Sequence, residues 1–411
     1  MSLLTEQCLI VGNYTRGGKY VMEALVLHLQ SFYLTGKDAS KDVWFADGVL
    51  IRLALRMGYH RDPSTQRSLA HLSEYECEMR RRVWMTIYQL DSLVSFQVGL
   101  PSMIPVDAVD TKPPMNLELS FLDPDTQELP PPRPMSDHTS ATYTIAKQPI
   151  IEVFRKIVSH TQSLTPRPYE ETVQLDTMLR NAYDSLPEIL KAKSISRSLV
   201  NGTSLVIRCL TLELLFLKST IILHRQHVAH HGNAITAQSH QTCMRAALTM
   251  LQRLDELHEA MKPGGFLFND KWLITTFNTG DMIFASVIVC LDLTIRVTTP
   301  PCACHSGVYA LPADSVVTLD MGLEAIKRAQ KIWVAWGEKS GEARLAAGAL
   351  EATIQRVTEA LQNNVPPSGA FEKVSFDDAV TGFGVGDDVN LNMMPDGLHW
   401  VSYRLPSLGY S

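Results

Sequence analysis

Cys302, Cys304 and His305 spell C-A-C-H just after Pro300 and Pro301, the one thiol–imidazole cluster in the sequence. A structural zinc site closes with four such ligands, so two thiols and one ring fall one short and the segment reads as a plain loop. His227 and His231 have the i, i+4 spacing of helical metal ligands, with His224 and His230 close by, but no glutamate follows His227 as H-E-x-x-H requires. These rings read as a polar helix end, where an imidazolium suits the dipole. Neither a G-x-S-x-G elbow nor a G-x-x-x-x-G-K-[ST] loop occurs. Gly382, Gly384 and Gly386 stand among acids, without the strand and helix a dinucleotide turn needs. The chemistry left to expect is binding, with no catalytic, cofactor or metal residues.

One polar group demands a structural answer. Trp84, Tyr88 and Asp91 fall at i, i+4 and i+7, so a carboxylate shares a helix face with two large aromatics and is expected to be buried. A buried carboxylate needs donors. The nearest by topology are His60 and Arg61, in the loop after the preceding helix, and the amides around Gly99. The sequence therefore predicts that Asp91 ties the 58–63 corner to the long helix. Arg80, Arg81 and Arg82 follow Glu74, Glu76 and Glu78, which cancel most of their field. They read as helix-surface pairs and loop contacts, not as a phosphate patch.

The elements that position these residues are helical. Of 411 residues, 45% are hydrophobic and 19% charged, with a net charge of −6, so the chain folds and does not attract nucleic acid by its overall field. Apolar residues recur with helical period and nowhere alternate as in a half-buried strand. Helices are expected over 20–34, 42–57, 143–161, 169–184, 204–228, 234–261, 271–297, 315–337 and 342–362. The clearest runs from Ser73, in capping-box spacing with Glu76, to Gly99 and Pro101. The expected class is all-α: a multi-helix bundle array of two packed helical subdomains, with an irregular Pro-rich connection and a loose C-terminal tail. The boundaries read as 1–125, a Pro-rich linker over 126–142, 143–362, and an acidic tail over 363–411.

Seven scattered cysteines fit a reducing compartment, and the start of the chain lacks a secretory pattern. The most apolar stretch, 204–223, carries Arg208, Glu213 and Lys218, and 282–291 is about half the roughly 20 residues of a crossing, so no membrane is expected.

Between 42 and 116 the order of residues resembles the fungal-specific transcription factor domain, or middle homology region, of zinc-cluster transcription factors. The matching residues are Gly58, His60, Arg61, Asp62 and Pro63; Glu78 with Arg80, Arg81, Arg82 and Trp84; Tyr88 with Asp91; Gly99 with Pro101; and Asp107 with Pro114. The match is diffuse through the later helices and absent from the tail. The resemblance implies a nuclear transcription regulator of a metabolic or specialised-metabolite gene set, whose helical region modulates its DNA-binding and activation segments through a small-molecule inducer, a coactivator, or a homo- or heterodimer partner.

The family's zinc cluster needs six cysteines in a compact run, and this sequence has none, so no direct nucleic-acid binding is expected of this chain alone. A truncated reading of the gene, a shortened paralogue modulating a full-length relative, and a stand-alone regulatory module stay open, with a helical enzyme of specialised metabolism as a further alternative. In the tail, Phe371, Phe376 and Phe383 are interleaved with Asp377, Asp378, Asp387 and Asp388, a composition expected of an activation segment whose charge keeps its rings hydrated until a partner groove buries them.

Overall fold

Apolar periodicity becomes helix in the computed structural model, which describes residues 2–35, 41–125, 128–192, 202–228, 234–274, 276–298 and 317–363. The helices are α1 (Ser2–Val11), α2 (Val21–Thr35), α3 (Lys41–Arg56), α4 (Glu74–Gln97), α5 (Thr142–Thr161), α6 (Tyr169–Asp184), α7 (Thr203–His224), α8 (Ala234–Met261), α9 (Thr276–Thr298), α10 (Leu319–Trp336) and α11 (Gly341–Asn363). No strand occurs among the described residues, and the class is all-α. No described helix is long and apolar enough to cross a membrane.

α4 starts and stops where its sequence says. The Ser73 hydroxyl accepts from the Glu76 amide at 3.2 Å, and the Glu76 carboxylate accepts from the Ser73 amide at 3.0 Å, closing the capping box. At the other end Gly99 takes φ 85°, and the Leu100 amide returns to the Ser95 carbonyl at 2.9 Å. That left-handed stop favours glycine because a Cβ would strain it. Gly58, at φ 73°, ends α3 in the same way, with the Tyr59 amide on the Ala54 carbonyl at 3.0 Å.

Two apolar cores result. The first gathers Met22, Leu50, Ile51, Trp84, Ile87, Ile150, Phe154 and Leu179 from α2 to α6; the second gathers Met244, Met250, Met282, Ile288, Ile326, Trp333 and Leu350 from α8 to α11. α7 serves both. Leu212, Leu215 and Ile222 face the first core, while Leu210, Leu214 and Ile221 face the second. A helix apolar on every side belongs inside a protein, which explains why 204–223 is so hydrophobic. The change from one core to the other therefore falls along α7.

The stretch between α4 and α5 is irregular, as its prolines require, but it is fastened down. The Asn116 side-chain amide donates to the carbonyls of Pro134 at 2.8 Å and Asp137 at 3.1 Å, and its oxygen accepts from Thr139 and Thr142 at 2.7 and 2.8 Å. Arg82 reaches the Leu117 carbonyl at 2.8 Å, and Leu117 is itself buried. One polar residue thus closes a segment that has few backbone partners of its own.

Candidate functional site

The corner after α3 is built on Asp62. This fully buried carboxylate takes a bidentate pair from Arg81, both bonds 2.9 Å, and further bonds from the Ser64 amide and hydroxyl and the Lys112 amide. Burial alone would raise its pKa, but the guanidinium, the hydroxyl and the two amides outweigh that and hold it well below the usual carboxylate range. Beside it Arg61 grips Asp110 through two 3.0 Å bonds, and the Asp62 amide donates to the same carboxylate at 2.8 Å. The three consecutive arginines divide as expected between helix and loops. Arg80 caps the Met57 carbonyl at 2.7 Å and lies over the Tyr59 ring, Arg81 holds Asp62, and Arg82 pairs with buried Glu78 at 2.9 Å. Glu78 also accepts from the Met115 amide at 3.1 Å.

Asp91 is fully buried, as its aromatic face predicts, but its partners correct the reading that it ties down the 58–63 corner. It accepts from the amides of Met103 at 2.8 Å and Ile104 at 3.1 Å, from the Ser95 hydroxyl at 3.1 Å, and from Arg155 Nη1 of α5 at 3.0 Å. The amides just past Gly99 are the donors; His60 and Arg61 are not. The reason is the helix turn. Asp91 lies almost three turns beyond Arg81, so the corner is served by the arginines and Asp91 by the returning chain.

Asp47 of α3 is a further buried acid, which the sequence reading missed. It is fully buried, and neither carboxyl oxygen has a hydrogen-bond partner. Burial, reinforced by the charge of Asp91, pushes its pKa up to about 8, so it is neutral at pH 7.

Beside these networks lies an open cleft of about 1270 Å³ between the middle of α4, the 99–113 stretch, α5 and α6. Of the residues singled out by sequence, Trp84, Tyr88, Gly99 and Pro101 line it; Gly58, His60, Arg61, Asp62, Glu78, Arg81, Arg82 and Asp91 do not. Trp272 is 58% exposed and outside the cleft, which lies wholly on the first core. Arg155 crosses the cleft floor with Nη2 on the Ile104 carbonyl at 2.6 Å, its guanidinium over the Tyr88 ring, and Nε without a partner.

A serine, a histidine and an aspartate do meet elsewhere. Ser239 Oγ lies 3.0 Å from His224 Nδ1, and His224 Nε2 lies 3.4 Å from Asp176, out of line for a hydrogen bond. The ring faces the wrong way for a hydrolytic triad, where Nε2 meets the serine, and Ser239 is buried and held by the Tyr169 hydroxyl at 2.8 Å. The grouping joins α6, α7 and α8 as a structural knot. His227 packs edge-on against Tyr169. No metal-binding group of three occurs among the described residues, and Cys302, Cys304, His305, His230, His231 and the whole tail lie outside them.

The described residues thus form an all-α array with an open cleft on the first core and buried salt bridges beside it. Residues 20–164 match the model of the fungal specific transcription factor domain. The chain is 35% identical over 342 residues to the Zn(2)-C6 fungal-type transcription factor pigI of Monascus ruber, covering 83% of this chain and 41% of that protein. It is 35% identical over 351 residues to the Zn(2)-C6 fungal-type transcription factor mpsB of Macrophomina phaseolina, covering 85% and 46%. With the equisetin cluster transcription factor eqxF of Fusarium heterosporum it is 31% identical over 379 residues, covering 89% and 53%. The chain spans about half the length of these curated relatives. No solved structure matches it significantly. This chain carries the fungal-specific transcription factor domain, and the resemblance read from 42–116 is borne out over a longer span.

Proposed function

We propose that the chain is the helical regulatory part of a nuclear fungal transcription regulator that controls a specialised-metabolite gene set, and that it is not an enzyme. One observation carries this: the similarity to fungal transcription factors, the equisetin and fusarisetin A cluster transcription factors among them, extends over more than four-fifths of the chain. The cleft on the first core is the place for a small-molecule inducer, being concave and lined by both apolar and polar side chains. The segment with Phe371, Phe376 and Phe383 among its acids acts as the activation segment toward a coactivator. The zinc cluster of the family has no cysteine run here to hold it, so contact with DNA is made by another polypeptide or another part of the protein.

The deciding experiment deletes the gene in its host and measures transcripts genome-wide. A collapse confined to one biosynthetic neighbourhood supports the reading; an unchanged transcriptome sinks it. Gel shifts of the purified chain on random duplex DNA at physiological salt are expected to show no complex.

A second reading, a modulator that pairs with a related full-length regulator, is favoured by Leu4, Ile10 and Val11 of α1, which are 64%, 61% and 87% exposed. Light scattering of the purified chain, alone and with such a relative, tests it by mass.

A further inference from the structure

The charge of the cleft runs against that of the protein. The chain carries −6 overall, yet the cleft is lined by Lys112, Arg155, Lys156 and Arg167 against only Glu152 and Glu171. Both acids are engaged. Glu171 faces His160 at 3.2 Å and Arg167 at 3.9 Å, and Glu152 accepts from Gln148 at 3.2 Å. Between Arg155 and Lys156, only Lys156 has its charge to spare, since that of Arg155 is already met by Asp91 at 3.0 Å. Lys156 makes no ion pair or hydrogen bond among the described residues and stands exposed on the rim, one residue along α5 from Arg155. Arg155 is 9% exposed and leaves a buried Nε–H donor without an acceptor.

The remaining walls are mixed: Ser102, Thr111, Gln148, Ser159, His160, Gln162 and Gln174 are interleaved with apolar side chains. Trp84, Tyr88, Ile104, Val109 and Leu175 offer ring and aliphatic surface, and at about 1270 Å³ the cleft is roomier than the roughly 300–1,000 Å³ of pockets that enclose a drug-sized molecule. Inorganic phosphate would leave these walls wet, and a neutral oil would leave the cations unanswered.

We propose that the cleft takes a small amphipathic anion, a carboxylate or enolate on an apolar body, with its charged head at Lys156 and Arg155 and its body against Trp84 and Tyr88. This names the ligand class for the inducer site and rests on the reading of the cleft as that site. It requires no covalent step. The anion answers the unpaired charge of Lys156 at the rim.

The test uses the purified full chain and three probes of equal length below their micellar concentrations: decanoate, decan-1-ol and decylammonium, followed by calorimetry. Decanoate is expected to bind at least about 10-fold tighter than the alcohol and to weaken as salt is raised, with decylammonium weakest. Lys156→Glu, on an exposed site that leaves the fold intact by circular dichroism, is expected to weaken decanoate by about 5-fold or more and leave decan-1-ol unchanged. Equal binding of acid and alcohol, indifference of decanoate to Lys156→Glu, or no binding of any probe overturns the proposal. The readout involves no transcript, so a gene deletion without transcriptional effect removes the regulator reading while leaving anion binding standing, and the reverse result separates them the other way.

Discussion

Arg155 Nη1 lies 3.0 Å from Asp91 Oδ2, a buried ion pair that joins α5 to α4 across 64 residues of sequence. Around it the same guanidinium takes the Ile104 carbonyl and the same carboxylate takes the Met103 and Ile104 amides, so the pair fixes the returning chain that forms one wall of the cleft.

Breaking that pair from one side strands a buried charge. Arg155→Met is expected to cost about 3–5 kcal/mol in urea unfolding, and Asp91→Leu a similar amount, while the double replacement costs less than the sum. A cycle in which the two losses simply add would show that the residues do not act as a unit.

Asp47 and Asp62 give opposite pH dependences. The folded pKa of Asp47, about 8, lies above its ordinary 3.8. Its stabilising contribution is therefore complete below that ordinary value and is lost as pH rises towards 8. Asp47→Asn should leave stability unchanged in acid, raise it by about 2–4 kcal/mol at pH 7, and gain nothing more above pH 8.

Asp62 has a folded pKa below its ordinary value, so its contribution is present above the ordinary carboxylate range and disappears as acid protonates the folded form. Asp62→Asn should thus be destabilising at neutral pH, and its deficit should shrink steadily in melts taken at falling pH.

Gly58→Ala tests backbone geometry without crowding. A Cβ there would meet its nearest atom, in Arg80, at 3.6 Å, an ordinary contact, so the expected loss of about 1 kcal/mol comes from φ 73° alone. Thermal melts that match the parent would mean the turn relaxes.

Leu212→Ala on α7 should cost about 2–5 kcal/mol and lower the unfolding of both cores together. Single-tryptophan versions retaining Trp84 in the first core or Trp333 in the second are expected to report one coincident transition.

Helix positions were legible because the signals were local. Ser73 with Glu76, Gly58 and Gly99 mark ends by chemistry that acts within a few residues, and α6 and α8 fall on the expected ranges. α5 holds through Pro149 because Ile150, Ile151 and Phe154 are buried around it, and packing outweighs the lost hydrogen bond. The start of α9 was expected near 271, where Phe268–Leu273 instead forms a separate 3₁₀ turn with Asp270 off helical geometry. The partners of Asp91 were not legible, since the choice between His60, Arg61 and Arg155 depends on how helices cross. The signal that was there is Arg155 itself, a cation set between Val153, Phe154, Ile157 and Val158 on a buried face. Asp47, among Val43, Leu50 and Ile51, gave the same sign.

Because α7 is a wall common to two rooms, this polypeptide has no safe place to be cut near its middle. A fragment ending before 203 or starting after 224 exposes a face that the missing helix would have covered, so shortened versions used to map activity will aggregate or be degraded, and their silence in a reporter assay will register loss of folding where loss of a regulatory element was sought.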